Sequence, residues 1–126
     1  MKAQILALSL LLLVGCSSVS PATTPFLDTS EELAWEKIDK GALVIDLRSE
    51  QAYAHSHIKG AIHIPLHTLP LKLDELQYPK DEPVVLYSQE EDQASHAQGV
   101  LLEHGFSDVV SGGTYFKLMM AGDMRD

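Results

Sequence analysis

The sequence predicts an α/β domain in which helices cover both faces of a small parallel sheet. Two continuous apolar runs, at 42–46 and 84–87, have too few polar residues for a strand with one face in water. Such runs are typical of parallel strands that are buried on both faces. Segments with the apolar spacing of helices follow each run, and strands that alternate with helices favour this architecture. A chain of 126 residues has room for one such domain.

Local signals place the other elements along the chain. Thr29 and Glu32 form a capping-box pattern at the start of a first helix, and Gly41 and Gly105 each end a helical segment. The pair Gly112-Gly113 is interpreted as the connection between the last strand and the last helix. The predicted helices cover 30–40, 49–57, 69–76, 92–103 and 114–121. The predicted strands cover 42–46, 61–64, 84–87 and 108–110.

Composition excludes several classes of function. Lys and Arg total 9 against 18 Asp and Glu, so the net charge is −9 with no basic cluster. Because nucleic acids are bound by phosphate neutralisation, we expect no nucleic-acid partner. A hydrophobic content of 45% is ordinary for a domain with a filled core. One cysteine cannot form an intrachain disulfide or a cysteine-rich zinc site.

The amino-terminal segment has the pattern of an exported, lipid-anchored protein. Lys2 precedes an apolar run over 5–14, which is too short to span a bilayer and fits a secretory signal. The run ends in Leu13-Val14-Gly15-Cys16, which resembles the cleavage box of bacterial lipoproteins. The resemblance implies removal of residues 1–15 and lipid chains on Cys16, the predicted attachment to a membrane. The alternative is an ordinary signal peptide with an incidental cysteine.

Residues 16–25 are predicted to be the lipidated cysteine and a flexible tether, and residues 26–126 the folded domain. The tether is polar, contains proline and lacks periodicity. Ser17 follows the cysteine where an inner-membrane retention signal would place Asp. We therefore expect a location in the cell envelope, on the periplasmic face of the outer membrane rather than the inner one.

Three groups of residues carry a resemblance to a known family. The first consists of 44–48, Tyr53, 57–61 and 64–65, and the second of the strand 84–87 with the loop after it. The third consists of Ala97, Leu101, Gly105-Phe106, Val109 and Gly112-Gly113. Together they resemble the single-domain rhodaneses, the thiosulfate sulfurtransferase family, over nearly all of 33–121. The resemblance implies a three-layer α/β rhodanese-like domain. It also implies a cysteine nucleophile, which takes up a sulfane sulfur as a persulfide and passes it on.

The position of that nucleophile is occupied by Ser88. An alkoxyl oxygen cannot carry a persulfide, and a serine hydroxyl needs an adjacent base to act as a nucleophile. Cys16 cannot replace it, because the predicted lipid attachment lies at the far end of the tether. Catalytic degeneracy is therefore the expectation, with no intact catalytic residue.

The active-site loop departs further from the family pattern after Ser88. Active members commonly have glycine where Glu91 stands and arginine where Gln93 stands. At about 7 Å and an effective dielectric near 40, each carboxylate repels a bound anion by about 1 kcal/mol, against about 0.3–1 kcal/mol of attraction from the helix end. We expect poor thiosulfate binding even with a cysteine at 88, and Glu91 or Asp92 is expected to cap the following helix. The loop residues are Ser88, Gln89, Glu90, Glu91, Asp92 and Gln93.

Residues that match family positions near the pocket have structural interpretations. We predict that Asp46 and Arg48 form an ion pair and a turn. His57 is expected to make a backbone hydrogen bond in its turn. Tyr115 and Phe116 are expected to pack in place of an aromatic residue that is common nearby in the family.

Metal binding and serine hydrolysis are two alternative chemistries for the histidines and for Ser88. One histidine grouping has metal-like spacing, but Pro65 separates its last two members and no acidic or cysteine pattern surrounds it. We expect no metal and no cofactor. Ser88 with His96 as base would be a hydrolase pair, but the Gly-x-Ser-x-Gly context is absent. The grouped histidines are His55, His57, His63 and His67.

The sequence thus predicts a membrane-anchored rhodanese-like protein without the catalytic cysteine, a pseudoenzyme that serves as a binding or scaffold module of the cell envelope. Its pocket is expected to be acidic and to accept a basic protein or a cationic ligand. The alternative is an enzyme with residual sulfur-handling or Ser88-dependent activity. Phosphatase chemistry of the dual-specificity type is disfavoured, since it needs the same missing cysteine and arginine.

Overall fold

The computed structural model describes residues 30–125. Over this range, helices and strands alternate as the sequence predicts. The helices are α1 (Ser30–Asp39), α2 (Glu50–His55), α3 (Leu69–Glu75), α4 (Glu91–Glu103) and α5 (Tyr115–Asp123), with a short 3-10 helix, Leu66–Thr68, before α3. The strands are β1 (Leu43–Asp46), β2 (Ile62–His63), β3 (Val84–Ser88) and β4 (Val109–Thr114). The predicted signal peptide, Cys16, the tether and the capping residue Thr29 lie outside the described residues.

The strands of this range form one parallel sheet in the order β2-β1-β3-β4. The two central strands are β1 and β3, which are the two continuous apolar runs of the sequence. They pair from Leu43 opposite Val84 to Asp46 opposite Tyr87. Because adjacent parallel strands end at the same edge of a sheet, this register brings the end of β1 beside the end of β3.

Two apolar layers lie on opposite faces of the sheet. Along β3, Val84 and Leu86 belong to one layer, and Val85 and Tyr87 belong to the other. The first layer includes side chains of α3 and α4, and the second includes side chains of α1, α2 and α5. Full burial of a large aliphatic side chain stabilises the fold by about 1.5–3 kcal/mol, so residues on both faces of β3 contribute. The predicted three-layer α/β fold is confirmed.

Helix ends follow the sequence signals closely. The Ser49 hydroxyl caps α2 by accepting a hydrogen bond from the Ala52 amide at 3.1 Å. Beyond α1 and α4, Gly41 and Gly105 have positive φ angles of 96° and 94°, as expected for glycines that end helices. Within residues 30–125, no helix combines the length and apolar character needed to cross a membrane.

The structure differs from the prediction most at β4. The strand predicted over 108–110 extends over Val109–Thr114, so the pair Gly112-Gly113 lies within it. Gly112 is crowded, because a Cβ there would lie 3.3 Å from the Leu86 carbonyl oxygen. The pairing with β3 also shifts register here, and Gly113 has φ of 80°. Glycines are typical of such bulges as well as of loops, which is why the pattern was ambiguous.

The two predicted packing replacements on α5 have different outcomes. Tyr115 packs against the second apolar layer, with its ring centroid 5.7 Å from that of Tyr87. Phe116 is 70% exposed, so its predicted packing role is wrong. Successive residues of a helix point about 100° apart, so the side chain after an inward-facing tyrosine points away from the sheet.

Candidate functional site

The candidate site lies at the edge of the sheet where β1 and β3 end. Asp46 is the last residue of β1 and Ser88 the last residue of β3. Both side chains are fully buried, which is unusual for polar residues. In open parallel sheets, ligands bind beyond the carboxyl ends of the strands. The surroundings of these two residues therefore decide what chemistry is available.

A buried ion pair closes the end of β1. The Asp46 carboxylate accepts hydrogen bonds from the Arg48 backbone amide at 2.8 Å and from its guanidinium Nη2 at 2.8 Å. The guanidinium also donates to the Ser56 carbonyl and lies 3.9 Å from the Tyr115 ring centroid. The predicted ion pair and turn of Asp46 and Arg48 are confirmed.

Tyr87 links this pair to β3. Its hydroxyl donates to the Asp46 carboxylate at 2.7 Å and accepts from the Ile58 amide at 3.0 Å. Sequence reasoning did not assign Tyr87 a place in the site. A signal was present, since a tyrosine inside a buried apolar run needs a partner for its hydroxyl.

The buried groups have shifted pKa values. Burial, and then donation of the hydroxyl to Asp46, raise the pKa of Tyr87 far above its ordinary value. For Arg48, burial acts to lower the pKa, but the hydrogen bonds and charge of Asp46 outweigh it and raise the pKa. Both side chains therefore keep their protons at physiological pH. The hydrogen bonds and opposite charges therefore hold these side chains in place.

His57 lies outside this network. Its Nδ1 faces the Tyr53 carbonyl oxygen at 2.8 Å, and its ring stacks on the Tyr53 ring at 3.8 Å between centroids. A carbonyl accepts only, so this geometry assigns the ring proton to Nδ1. The predicted backbone hydrogen bond of His57 is confirmed. Its side chain is exposed and supports the turn after α2.

Ser88 is closed off from solvent. Its relative exposure is 0%, and its hydroxyl donates to the Gln93 side-chain oxygen at 2.6 Å. The hydroxyl therefore donates its hydrogen bond to an amide oxygen, which is a poor base. His96, the alternative base, is an exposed residue of α4. The arrangement at Ser88 lacks the hydrogen bond to a base that an activated serine requires.

The loop after Ser88 directs its side chains differently from the prediction. Gln89 and Gln93 line a cavity of about 640 Å³, whereas the carboxylates of the loop are absent from its lining. Glu90 is the N-cap residue of α4, without a side-chain capping bond, so the predicted cap by Glu91 or Asp92 is wrong. The remaining lining residues are Leu47, Arg48, Ser49, Glu50, His63, Pro65, Leu66 and His67.

The carboxylates of the loop face other surroundings. Lys117 of α5 lies 3.3 Å from both carboxylate oxygens of Glu91. Glu90 and Asp92 are exposed and have no ion-pair partner among the described residues. The cavity itself carries one uncompensated carboxylate, Glu50, because Arg48 is neutralised by its buried partner. The lining is therefore less acidic than the loop sequence predicted, since Glu90, Glu91 and Asp92 do not contribute to it.

The histidine grouping does not come together as a metal site. His63 and His67 both line the cavity, but the His63 Nε2 is engaged with the Arg48 carbonyl oxygen at 2.6 Å. Over residues 30–125, no three His, Cys, Asp or Glu side chains are placed to hold a metal ion. The two histidines therefore form part of the polar wall of the cavity.

The parallel sheet, its two helical layers and a strand-end loop opening into α4 define a domain of the rhodanese type. The chain belongs to the family of rhodanese-like domains, whose pattern it matches over residues 30–114. The thiosulfate sulfurtransferase GlpE of Haemophilus influenzae is 30% identical over 87 residues, which are 69% of this chain and 81% of that protein. GlpE of Actinobacillus pleuropneumoniae serotype 5b is 33% identical over 87 residues, covering 68% and 79%. The protein is thus related to sulfurtransferases.

Solved structures agree with this assignment. A rhodanese from E. coli, solved with anions, superposes with a TM-score of 0.57 at 28% identity, over 60% of this chain and 89% of that one. The Rhodanese_3 like domain of the Alr3790 protein from Anabaena sp superposes with a TM-score of 0.60 at 24% identity, over 65% and 94%. At 24% identity, the second likeness supports the fold alone.

Proposed function

We propose that this protein is a lipid-anchored, non-catalytic binding module of the cell envelope, built on a rhodanese-like domain. The observation that carries the proposal is the state of Ser88, which is fully buried and donates its hydroxyl to Gln93. We take this position to be the one that carries the sulfur-accepting cysteine in active rhodaneses. An oxygen there cannot hold a persulfide, and a buried hydroxyl without a base cannot replace it as a nucleophile.

The loop adds a second obstacle to sulfur transfer. Thiosulfate is an anion, and in rhodaneses the amides at the start of a helix would bind it. Here Glu90, Glu91 and Asp92 surround the start of α4, and Lys117 compensates Glu91 alone. The two remaining carboxylates each oppose a nearby anion by about 1 kcal/mol, which is as large as the attraction of an exposed helix end.

The same charges favour a cationic ligand at the cavity. Glu50 lines it without a compensating cation, and the carboxylates of Glu90 and Asp92 lie on the adjoining loop. Glutamine side chains at 89 and 93 add neutral donors and acceptors. A lysine or arginine side chain of a basic protein has the chemistry that these groups bind. The membrane anchor on Cys16, on the periplasmic face of the outer membrane, remains part of the proposal.

The first test asks whether the domain accepts sulfur. The chain from residue 16 onward, carrying Cys16→Ser, is incubated with thiosulfate and assayed for sulfur transfer to cyanide and, by mass spectrometry, for bound sulfur. We expect turnover at the background rate and no added sulfur atom. Measurable turnover would overturn the non-catalytic assignment, and its loss in Ser88→Ala would assign it to the hydroxyl.

Two further variants separate the missing sulfur from the unsuitable loop. Ser88→Cys alone supplies the thiol, and Ser88→Cys with Glu91→Gly and Gln93→Arg also restores the charge pattern of active members. We expect little turnover from the first and at least about tenfold more from the second, because a 1.4 kcal/mol change in binding is tenfold. Equal activity of the two variants would refute the electrostatic part of the argument.

The second test asks whether the cavity binds cations. An arginine-rich peptide is titrated into the same chain at low salt, and its affinity is measured by calorimetry. Glu50→Gln should weaken binding about three- to fivefold, since an exposed ion pair contributes up to about 1 kcal/mol. Glu103→Gln, which changes the same charge at the far end of α4, is the matched control and should change little. Equal losses in both variants would show a response to net charge instead of a site.

A further inference from the structure

An apolar stripe runs along the outer side of α5. Phe116, Met120 and Met124 are spaced by four residues, which places them on one side of the helix. Their relative exposures are 70%, 48% and 79%. Scattered exposed apolar residues are ordinary, but three successive ones along a single helix face form a contiguous patch of the kind that marks a binding surface.

This stripe borders a groove at the point where the chain enters the domain. The groove, which we call the α1–α5 groove, has a volume of about 670 Å³ and is also lined by Glu31 and Glu32 in the first turn of α1. Since α1 begins at Ser30, the segment that leads from Cys16 joins the domain beside this groove. A face next to the attachment point is the one that meets the surface to which the chain is attached.

We infer that the α1–α5 groove rests on the bilayer that holds the lipid anchor, an inference that depends on the proposed lipidation of Cys16. Thirteen residues lie between Cys16 and Ser30, and even a chain that is coil throughout would span only about 20 Å over that length. The groove is thereby kept close to the lipid surface. At such a short tether length the effective concentration of lipid near the groove is high, so a weak affinity of the groove for lipid is sufficient for contact.

The side chains of the groove fit a lipid surface without net charge. Phenylalanine and methionine insert at the boundary between headgroups and acyl chains. Lys117 and Arg125 also line the groove, where they pair with Glu91 and Asp39, and their long stems can lie along apolar surface. Because both cations already have carboxylate partners, the groove has no excess of positive charge that would select an anionic lipid. The groove therefore suits zwitterionic phospholipid, with little dependence on ionic strength.

Oxidation of the stripe methionines tests this orientation. The sequence contains one cysteine, so the chain from Cys16 onward can be coupled through its thiol to phosphatidylcholine vesicles that contain a maleimide lipid. Hydrogen peroxide converts exposed methionines to sulfoxides, which mass spectrometry counts. We expect Met120 and Met124 to react at least about threefold more slowly on vesicles than in the same chain coupled to a small maleimide. Met119, which is half-buried, is the internal reference.

Matched variants distinguish contact of the groove with the bilayer from general shielding of the protein by the vesicle. Phe116→Ser should abolish the protection, whereas Leu71→Ser, at a 63% exposed position on α3, should leave it intact. Equal oxidation on and off the vesicles would overturn the inference. So would slow oxidation in the uncoupled chain, which would mean that the protein itself or a second copy covers the groove. Chemical coupling bypasses lipidation, which is tested separately by fatty-acid labelling in cells and its loss in Cys16→Ala.

Discussion

The end of β1 and the end of β3 are neighbours in the sheet, but their polar side chains are held in different ways. At the end of β1, Asp46 and Arg48 form a buried ion pair that Tyr87 completes. At the end of β3, Ser88 makes one hydrogen bond, to a side chain that is itself exposed. Both regions belong to the part of the chain that matches rhodanese-like domains.

This difference separates what the fold needs from what sulfur chemistry needs. The charges of Asp46 and Arg48 are buried. The free-energy cost of removing them from water must therefore be offset by contacts within the protein, whether or not the protein catalyses a reaction. The loop 88–93 lies at the mouth of a cavity, where most of its side chains reach water and substitutions change little in the core. Under the proposed function, the buried pair stabilises the fold while the loop serves binding in place of sulfur transfer.

The largest expected effect is the loss of the ion pair. Asp46→Asn leaves the Arg48 charge buried without its partner, and we expect the free energy of unfolding to fall by about 3–5 kcal/mol. Urea unfolding followed by circular dichroism measures the change. Asp108→Asn, which breaks the half-exposed pair with Lys37, is the control and should lose less than about 1 kcal/mol. Equal losses in the two variants would contradict a special role for the end of β1.

An intermediate loss of stability is expected when the hydroxyl of Tyr87, which links β3 to the end of β1, is removed. Tyr87→Phe removes a donor to Asp46 and an acceptor for the Ile58 amide, and we expect a loss of about 1–3 kcal/mol because both partners are buried. Tyr78→Phe removes a half-buried hydroxyl bond to Pro83 and serves as the control, with a loss of about 1 kcal/mol. A smaller loss at Tyr87 than at Tyr78 would mean that the network is replaced by water.

The difference in stability between the wild type and Tyr87→Phe depends on pH. The pKa of Tyr87 is raised by burial in the folded protein, so the unfolded chain releases this proton first, near pH 10. The contribution of Tyr87 to stability is therefore complete below about pH 10 and falls by up to about 1.4 kcal/mol per pH unit above it. The stability gap between the wild type and Tyr87→Phe should narrow as the pH rises to about 11.5. A constant gap would refute the raised pKa.

Much of the fold could be predicted because its signals are local or periodic. The two buried apolar runs became the central strands, and glycines ended the helices where expected. The Asp46–Arg48 pair was also predictable, since the residues are two apart at the end of a strand. The extended β4 was not, because the same glycine pair fits a loop and a bulge, and only tertiary contacts such as that of Gly112 with Leu86 distinguish them.

The parts of the site that escaped prediction depend on contacts between distant segments. Tyr87 reaches Asp46 only through the register of β1 with β3, which the sequence does not specify. The pairing of Glu91 with Lys117 requires α5 to lie beside the start of α4. A run of carboxylates in sequence therefore predicted a charged cavity wall, whereas the structure places glutamines on the wall and leaves the loop carboxylates out of it.

The smallest expected effect is at Ser88 itself. Ser88→Ala removes one hydrogen bond, and the Gln93 oxygen that loses its donor can be satisfied by water because that side chain is exposed. We expect the free energy of unfolding to fall by no more than about 1 kcal/mol, compared with nearly no change in Ser95→Ala on the exposed side of α4. A loss as large as that of Asp46→Asn would mean that Ser88 is retained for the stability of the fold. The hydroxyl would then be part of the structural network, and the contrast between the two strand ends would no longer separate folding from chemistry.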